Sequence, residues 1–295
     1  MINMNGFNYQ KPKVIAEIGC NHKGNFDIAL ELIDLAKECG ADVAKFQKRN
    51  PSELLTPEQY NAPHPNPINS YGDTYGEHRE YLEFTKEQHA QLKKYCEKKG
   101  IEYSTSVWDI TSAKEIVSLN PKIIKVPSAS NNNFEMLKVL RDEYRGEVHV
   151  SFGMTEKQEE ENLIAFFEEN GSAKSRLVIY ACTSGYPVPY EDLCILEINR
   201  LYEEYEDRVK EIGFSGHHLG TAVDIACYTL GARWIERHFT KDRTWKGTDH
   251  SASLEPRDLS TLVTDLNNTY KALRYKCEDI LDIEKVQREK LKHQF

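Results

Sequence analysis

The stretch "WIERHFTKDRTWKGTDHSASLEP", residues 234–256, starts as an apolar strand and turns into charge, glycine and histidine. Glu236, Arg237 and His238 close the apolar alternation, and Asp249 lies in the loop beyond. The same change recurs along the chain. "KVIAEIG" (13–19) carries Glu17, "DVAKFQ" (42–47) ends in Lys45-Phe46-Gln47, and "EYSTSVW" (102–108) offers Ser104, Thr105 and Ser106. "IIKVPS" (123–128) ends in Lys125 and Ser128, "EVHVSFG" (147–153) holds Ser151, and "RLVIYAC" (176–182) is followed by Thr183, Ser184 and Tyr186. "KEIGFSG" (210–216) is followed by His217 and His218. A single strand-end serine is usually a helix cap, and a single lysine usually snorkels or pairs. Polar residues at every strand end need partners or a ligand, because burying them unpaired is costly.

Sorted by chemistry, these residues form a coherent set. Lys45 and Lys125, with Thr105, Ser128 and Ser151, supply charge and hydroxyl donors suited to a phosphate. His217 and His238 end neighbouring strands, about 5 Å apart, so both imidazoles can reach one ion. Two histidines with few other protein ligands leave coordination positions open, as a catalytic ion needs. Glu17 is a third ligand, a partner behind the ligands or an acceptor for a hydroxyl. Asp249 can fold back over the opening, with Gly247 allowing the turn.

The elements that must position these residues are eight short strands alternating with helices. Helical 3–4 spacing runs over 26–40, where Ile28, Leu32, Leu35 and Ala36 share a face. It recurs over 86–99, 111–118, 133–143, 156–169, 191–206, 221–231 and 257–275. Gly40, Gly100 and Gly171 follow helices, where left-handed caps are expected. Eight such units predict parallel right-handed crossovers closing into a single-domain (β/α)8 barrel over 1–276. No G-x-G-x-x-G follows the first strand, which disfavours an open dinucleotide-binding sheet. In a barrel the chemistry lies at the C-terminal strand ends, where the polar residues gather. Residues 50–82 form a long insertion with five Pro and four Tyr. A loop of that length is expected to act as a lid or binding loop, with Tyr71, Tyr75, His78 and Arg79 as candidates. Residues 277–295 read as a charged tail.

The totals exclude several classes. The chain has 295 residues, 39% of them hydrophobic, and a net charge of −9. That balance argues against a general nucleic-acid binder. The seven cysteines are scattered and odd in number, which suits neither a disulfide framework nor a zinc ribbon. With no signal-like segment and no 18-residue apolar run, the expectation is a cytoplasmic protein without a membrane span.

The ordered stretches "IAEIGCNHKGN", "GADVAKFQ", "IIKVPS", "VSFGMT", "YPVPYEDL", "IERHFTKDR" and "GTDHSASLEP" resemble the catalytic barrel of the sialic acid (N-acetylneuraminate) synthases. The resemblance spans residues 14 to 256. It implies condensation of phosphoenolpyruvate with a sugar aldehyde similar to N-acetylmannosamine, giving a nonulosonate or related 3-deoxy-2-ketoaldonic acid and phosphate. By position it implies that His217 and His238 bind a divalent ion, typically manganese, with magnesium or cobalt as alternatives. It implies that Lys45 and Lys125 hold phosphoenolpyruvate. Thr105, Ser128, Ser151 and Ser184 fall at phosphate or carboxylate contacts. Glu17, Tyr186 and Asp249 fall where the acceptor or metal-bound groups are met.

The chain departs from the family pattern in three places. "SGHH" (215–218) stands where the family usually has "SDHT", and "SAS" (128–130) where it has "SGE" or "SGD". The sequence also reads as the barrel without the family's C-terminal antifreeze-like domain, on which the usual homodimer partly depends. The departures touch the acceptor side. Two other functions stay open at this point: another metal-dependent barrel aldolase or lyase, and a non-catalytic sugar-phosphate sensor.

Overall fold

The computed structural model describes residues 9–293. Eight parallel strands close into a barrel in sequence order. They are β1 (Lys13–Gly19), β2 (Val43–Lys48), β3 (Glu102–Val107), β4 (Ile123–Val126), β5 (Glu147–Ser151), β6 (Leu177–Cys182), β7 (Glu211–Gly216) and β8 (Trp234–His238). The barrel closes through β1 and β8, where Glu17 sits opposite His238 and Ile15 opposite Glu236. β4 stops at Val126 because Pro127 has no N–H to continue the ladder.

The principal helices are α1 (Phe26–Glu38), α2 (Lys86–Lys99), α3 (Ile110–Leu119), α4 (Phe134–Asp142), α5 (Lys157–Glu168), α6 (Glu197–Tyr205), α7 (Ala222–Thr229) and α8 (Pro256–Ala272). Their starts follow from local capping. Asn25 accepts from the first turn of α1, Thr85 and Gln88 form a reciprocal capping box at α2, and Asp109 caps α3. Gly100 is the left-handed C-cap of α2, with φ 71°. The expected helix over 191–206 begins only at Glu197, because Cys194 adopts φ 47°, outside helical geometry. Residues 282–291 of the expected tail form a further helix, α9 (Asp282–Leu291), braced by the Lys276–Glu284 ion pair at 2.7 Å.

Strand alternation sorts the side chains into two layers. Outward residues, such as Phe46, Tyr103, Val107, Ile124 and Val150, pack beneath the helices in the main core. Inward residues split along the barrel axis. Ile15, Val43, Ile123, Val178, Tyr180 and Trp234 fill the interior's N-terminal half as a separate apolar cluster. The C-terminal half is polar. No described helix is long and apolar enough to cross a membrane, and all seven cysteines are free.

The insertion after β2 is ordered around short helices at Pro51–Leu54, Pro57–Asn61 and Tyr75–Tyr81, with a 3-10 turn at Pro67–Asn69. Thr56 and Thr74 each head a capping box, which sequence periodicity does not report. The insertion reaches across the barrel top to the loop after β8. Tyr71 donates to the Lys246 carbonyl at 2.5 Å, and the Gly247 N–H donates to Asn69 at 3.3 Å.

Candidate active site

A cavity of about 300 Å³ opens at the C-terminal ends of the strands. Its wall includes nine of the eleven residues singled out above: Glu17, Lys45, Lys125, Ser128, Ser151, Ser184, Tyr186, His217 and His238. Asp249 stands at the rim, its carboxylate 4.0 Å from His238 Nδ1. Gly247 has φ +147°, and a Cβ there would lie 2.7 Å from the His250 ring, so the turn that returns Asp249 requires glycine.

Thr105 does not line the cavity. It shares the outward face of β3 with Tyr103 and Val107, which pack in the main core beneath the helices. The inward position is Ser106, whose hydroxyl accepts a hydrogen bond from Lys45 Nζ at 2.8 Å. The alternation of β3 carries this signal, since Ser106 pairs with Gln47 and Ser104 with Lys45.

At the cavity floor two lysines and two glutamates are buried together. Lys45 pairs closely with Glu17 and lies 3.7 Å from Glu236. Lys125 Nζ lies 2.8 Å from Glu236 Oε1 and 4.3 Å above the Tyr180 ring. Ser215 also donates to Glu236, at 3.0 Å, and Gln47 donates to Glu17, at 3.1 Å. Glu236 therefore holds the cluster together, a part that its position two residues before His238 only hinted at. Burial pulls the Lys45 ammonium down, but Glu17 and Glu236 outweigh it and leave it above the usual lysine range. Burial also lowers Lys125, and with Lys45 beside it the support from Glu236 does not restore it. Burial raises Glu236, yet the two ammonium groups hold its carboxyl well below the usual range.

Hydroxyls line the adjacent wall. Ser128 accepts from the Gly153 N–H at 2.9 Å. A Cβ at Gly153 would lie 2.4 Å from the Ser184 hydroxyl and 2.8 Å from that of Ser128, so only glycine lets both approach. Ser151 Oγ is buried and has no protein partner. An anion set among two ammonium groups and three hydroxyls matches this wall.

The histidines occupy the opposite side. Their ring centroids are 5.4 Å apart, and Tyr186 packs on both, at 4.4 Å from His217 and 5.8 Å from His238. His217 Nδ1 contacts the Thr183 carbonyl at 3.2 Å, which makes Nδ1 the protonated nitrogen and leaves Nε2 as a lone-pair donor. Burial, reinforced by His238, lowers His217 to about 3 and keeps it neutral, the form that ligates a metal. His238 Nδ1 is buried without a hydrogen-bond partner. Among the described residues no three His, Cys, Asp or Glu side chains form a complete metal cage. The pair fits an open site completed by water and substrate oxygens.

Of the altered positions in the two motifs, Ala129 lines the cavity, and Gly216, His218 and Ser130 do not. His218 points the opposite way from His217, into a fully buried cluster with Arg237 and Asp224, 3.4 Å from the Asp224 carboxylate. Gly216 is pinned there, since a Cβ would lie 2.6 Å from Phe214. Ser130 donates to the Trp108 carbonyl at 2.9 Å instead of facing the cavity. None of the three lines the site. The insertion candidates also stand back from the floor. His78 is buried against His64, Tyr71 reaches the loop after β8, and Arg79, held by Tyr75, lies over Trp108, a wall residue.

Residues 32–278 match the NeuB family. The chain is 38% identical over 280 residues to the N-acetylneuraminate-9-phosphate synthase of Homo sapiens, covering 94% of this chain and 76% of that protein. It is 29% identical over 264 residues to the N,N'-diacetyllegionaminic acid synthase of Campylobacter jejuni, covering 90% and 78%. The crystal structure of an N-acetylneuraminic acid (sialic acid) synthetase from Leptospira borgpetersenii superposes with a TM-score of 0.79 at 27% identity, over 98% of this chain and 94% of that one. With the match running from α1 past the end of the barrel, the chain belongs to the NeuB family.

Proposed function

We propose that the protein condenses phosphoenolpyruvate with an N-acylated amino-sugar aldehyde, giving a nonulosonic acid and inorganic phosphate. The observation that carries this reading is the buried Lys45–Glu17–Lys125–Glu236 cluster, with the serine wall on one side and the two histidines on the other. The named activities of the synthases from Homo sapiens and Campylobacter jejuni support it.

Lys45 and Lys125 bind the phosphate and carboxylate of phosphoenolpyruvate, and Ser128, Ser151 and Ser184 donate to the same oxygens. Tyr186, with half its surface exposed, covers the open side against bulk water. His217 and His238 would hold a divalent ion, whose chemistry there is Lewis-acid polarisation of the acceptor's aldehyde oxygen. Carbon 3 of phosphoenolpyruvate forms the new bond to the aldehyde carbon, and that oxygen takes a proton. Positive charge developing at carbon 2 faces Glu236 and Glu17. Water adds at carbon 2 and gives up a proton, with Glu17 or Asp249 as acceptor. The carbon–oxygen bond to phosphate then breaks, leaving the 2-keto acid. Glu17 and Glu236 already neutralise the lysines, so the trianionic donor and a divalent cation bind more tightly together than apart.

The test is phosphate release from phosphoenolpyruvate with N-acetylmannosamine or its 6-phosphate and manganese. Release that requires both the acceptor and the metal supports the reading. Phosphoenolpyruvate labelled with ¹⁸O in the bridging oxygen should yield labelled phosphate; label kept in the keto acid rejects carbon–oxygen cleavage.

A further inference from the structure

We infer that the buried Arg237–Asp224–His218 cluster is the positioning device for His217 and His238, and that it sets how tightly this pair holds a divalent cation. The inference rests on the metal role proposed above for the two histidines and extends it to residues that never reach the cavity.

The β7–β8 ladder has its last rung at Gly216 and Arg237. His217 and His238 each follow that rung by one residue, and among the described residues no backbone hydrogen bond joins them. Their carbonyls turn to other partners: His217 accepts from the Val188 N–H at 3.0 Å, and His238 from the Leu254 N–H at 2.7 Å. Arg237 makes the missing tie with its side chain. Adjacent residues of a strand face opposite sides, so Arg237 points into the helix layer while His238 points into the cavity. Its guanidinium spans the β7–α7 connection. Nη1 donates to the Gly220 carbonyl at 2.8 Å and to His218 Nε2 at 3.1 Å, and Nη2 donates to the His218 carbonyl. Asp224, in the first turn of α7, anchors the same Nη1 at 2.5 Å.

Stability alone does not explain this cluster. All three side chains are buried, and a buried ion pair gains little over apolar packing. His218 Nδ1, Asp224 Oδ1 and Arg237 Nε have no hydrogen-bond partner in the protein, and buried polar atoms left unpaired cost free energy. What the cluster secures is direction. The carbonyl that Arg237 grips belongs to the residue beside His217, and Arg237 is itself the residue beside His238. The two changes in "SGHH" belong to the same device. A Cβ at 216 would lie 3.0 Å from the His218 ring, so the glycine makes room for the imidazole that braces Arg237. Groups that orient metal-ligating histidines from behind change metal affinity about 10- to 100-fold when they are altered.

The test uses the full chain as wild type, Asp224→Asn, His218→Leu and His218→Gln. It reads free manganese(II) by electron paramagnetic resonance, and phosphoenolpyruvate binding without metal by calorimetry. Asp224→Asn and His218→Leu should each weaken manganese binding by about 10- to 100-fold. His218→Gln keeps an acceptor for Arg237 and should recover most of that loss. Phosphoenolpyruvate alone should bind equally in all four, since the lysine and serine wall is untouched. Unchanged manganese affinity in His218→Leu or in folded Asp224→Asn, or no recovery in His218→Gln, overturns the inference. A parallel loss of both ligands also overturns it, because the cluster would then only hold the barrel together. If Asp224→Asn does not fold, the two His218 variants decide. Should wild type bind no manganese, the metal role fails by itself. Imidazole ¹H–¹⁵N spectra of His218→Leu then decide the positioning: a displaced His238 signal upholds it, and an unmoved one overturns it.

Discussion

Both ends of the barrel carry rings of lysine and glutamate, yet the two ends are built differently. At the N-terminal end each cation finds one carboxylate and reaches solvent. Lys122 pairs with Glu102 at 2.5 Å with its side chain 80% exposed, Lys210 pairs with Glu147 at 2.7 Å, and Arg233 with Glu211 at 2.7 Å. At the C-terminal end Lys45, Lys125, Glu17 and Glu236 are almost fully buried, and Glu236 serves both lysines. Exposed pairs are worth little and cost little. A buried charge cluster carries a desolvation penalty that simple stability would not select. The contrast teaches that residue type alone does not mark a site. Burial, shared partners and unpaired polar atoms such as Ser151 Oγ and His238 Nδ1 mark it.

The contrast can be broken in several places, and the largest effect belongs at the histidines. His217→Ala and His238→Ala should each abolish metal-dependent phosphate release; near-normal turnover in either removes the metal assignment. Next comes Glu236→Leu, which leaves two buried ammonium groups short of a partner. It should destabilise the fold by about 3–5 kcal/mol, read from urea unfolding, as expected when a buried pair is broken from one side. A loss below 1 kcal/mol would mean that the cluster is well solvated.

A smaller effect is expected beneath Lys125, where the Tyr180 ring is held by a 2.7 Å contact between its hydroxyl and His149. Tyr180→Leu removes the aromatic face and should raise KM for phosphoenolpyruvate by about 30-fold, the equivalent of about 2 kcal/mol for a desolvated cation–π contact. Tyr180→Phe keeps the face and should shift KM far less. Equal effects from both would assign the work to the hydroxyl.

At the other end a pH effect replaces a kinetic one. Burial raises the Glu147 carboxyl, but hydrogen bonds from His149 and Lys210 outweigh it and hold the group at about 2, below its ordinary 4.5. A lowered folded-state value stabilises above the ordinary value and is lost as pH falls toward the folded one. Glu147→Gln should therefore flatten the acid limb of stability between pH 4.5 and 2, without changing turnover. An unchanged acid limb would show the pair to be silent.

Much of this was legible in the sequence, for physical reasons. Parallel strands buried on both faces read as continuous apolar runs, and their polar ends stood out against them. Lys45, Lys125, His217 and His238 could be placed that way. The phase of a strand was harder to read. On β3 three hydroxyl residues stand in a row, and both hydroxyl-donor chemistry and the family position pointed to Thr105, while the pleat turns Ser106 inward. "SGHH" shows the same difficulty: two adjacent histidines face opposite sides, and the second is structural. The insertion's order depends on capping boxes at Thr56 and Thr74 and on contacts with Lys246 and Gly247, some 175 residues away along the chain, which periodicity does not encode.

The central claim is that the buried cluster, and not the solvated one, is the donor site. Calorimetric titration of phosphoenolpyruvate with manganese present tests it directly, comparing wild type, Lys125→Met and Lys122→Ala. Wild type and Lys122→Ala should bind equally, and Lys125→Met should bind about 100-fold more weakly, as when a charge-assisted contact is lost in a desolvated site. Equal binding by all three, or a loss in Lys122→Ala alone, would contradict it.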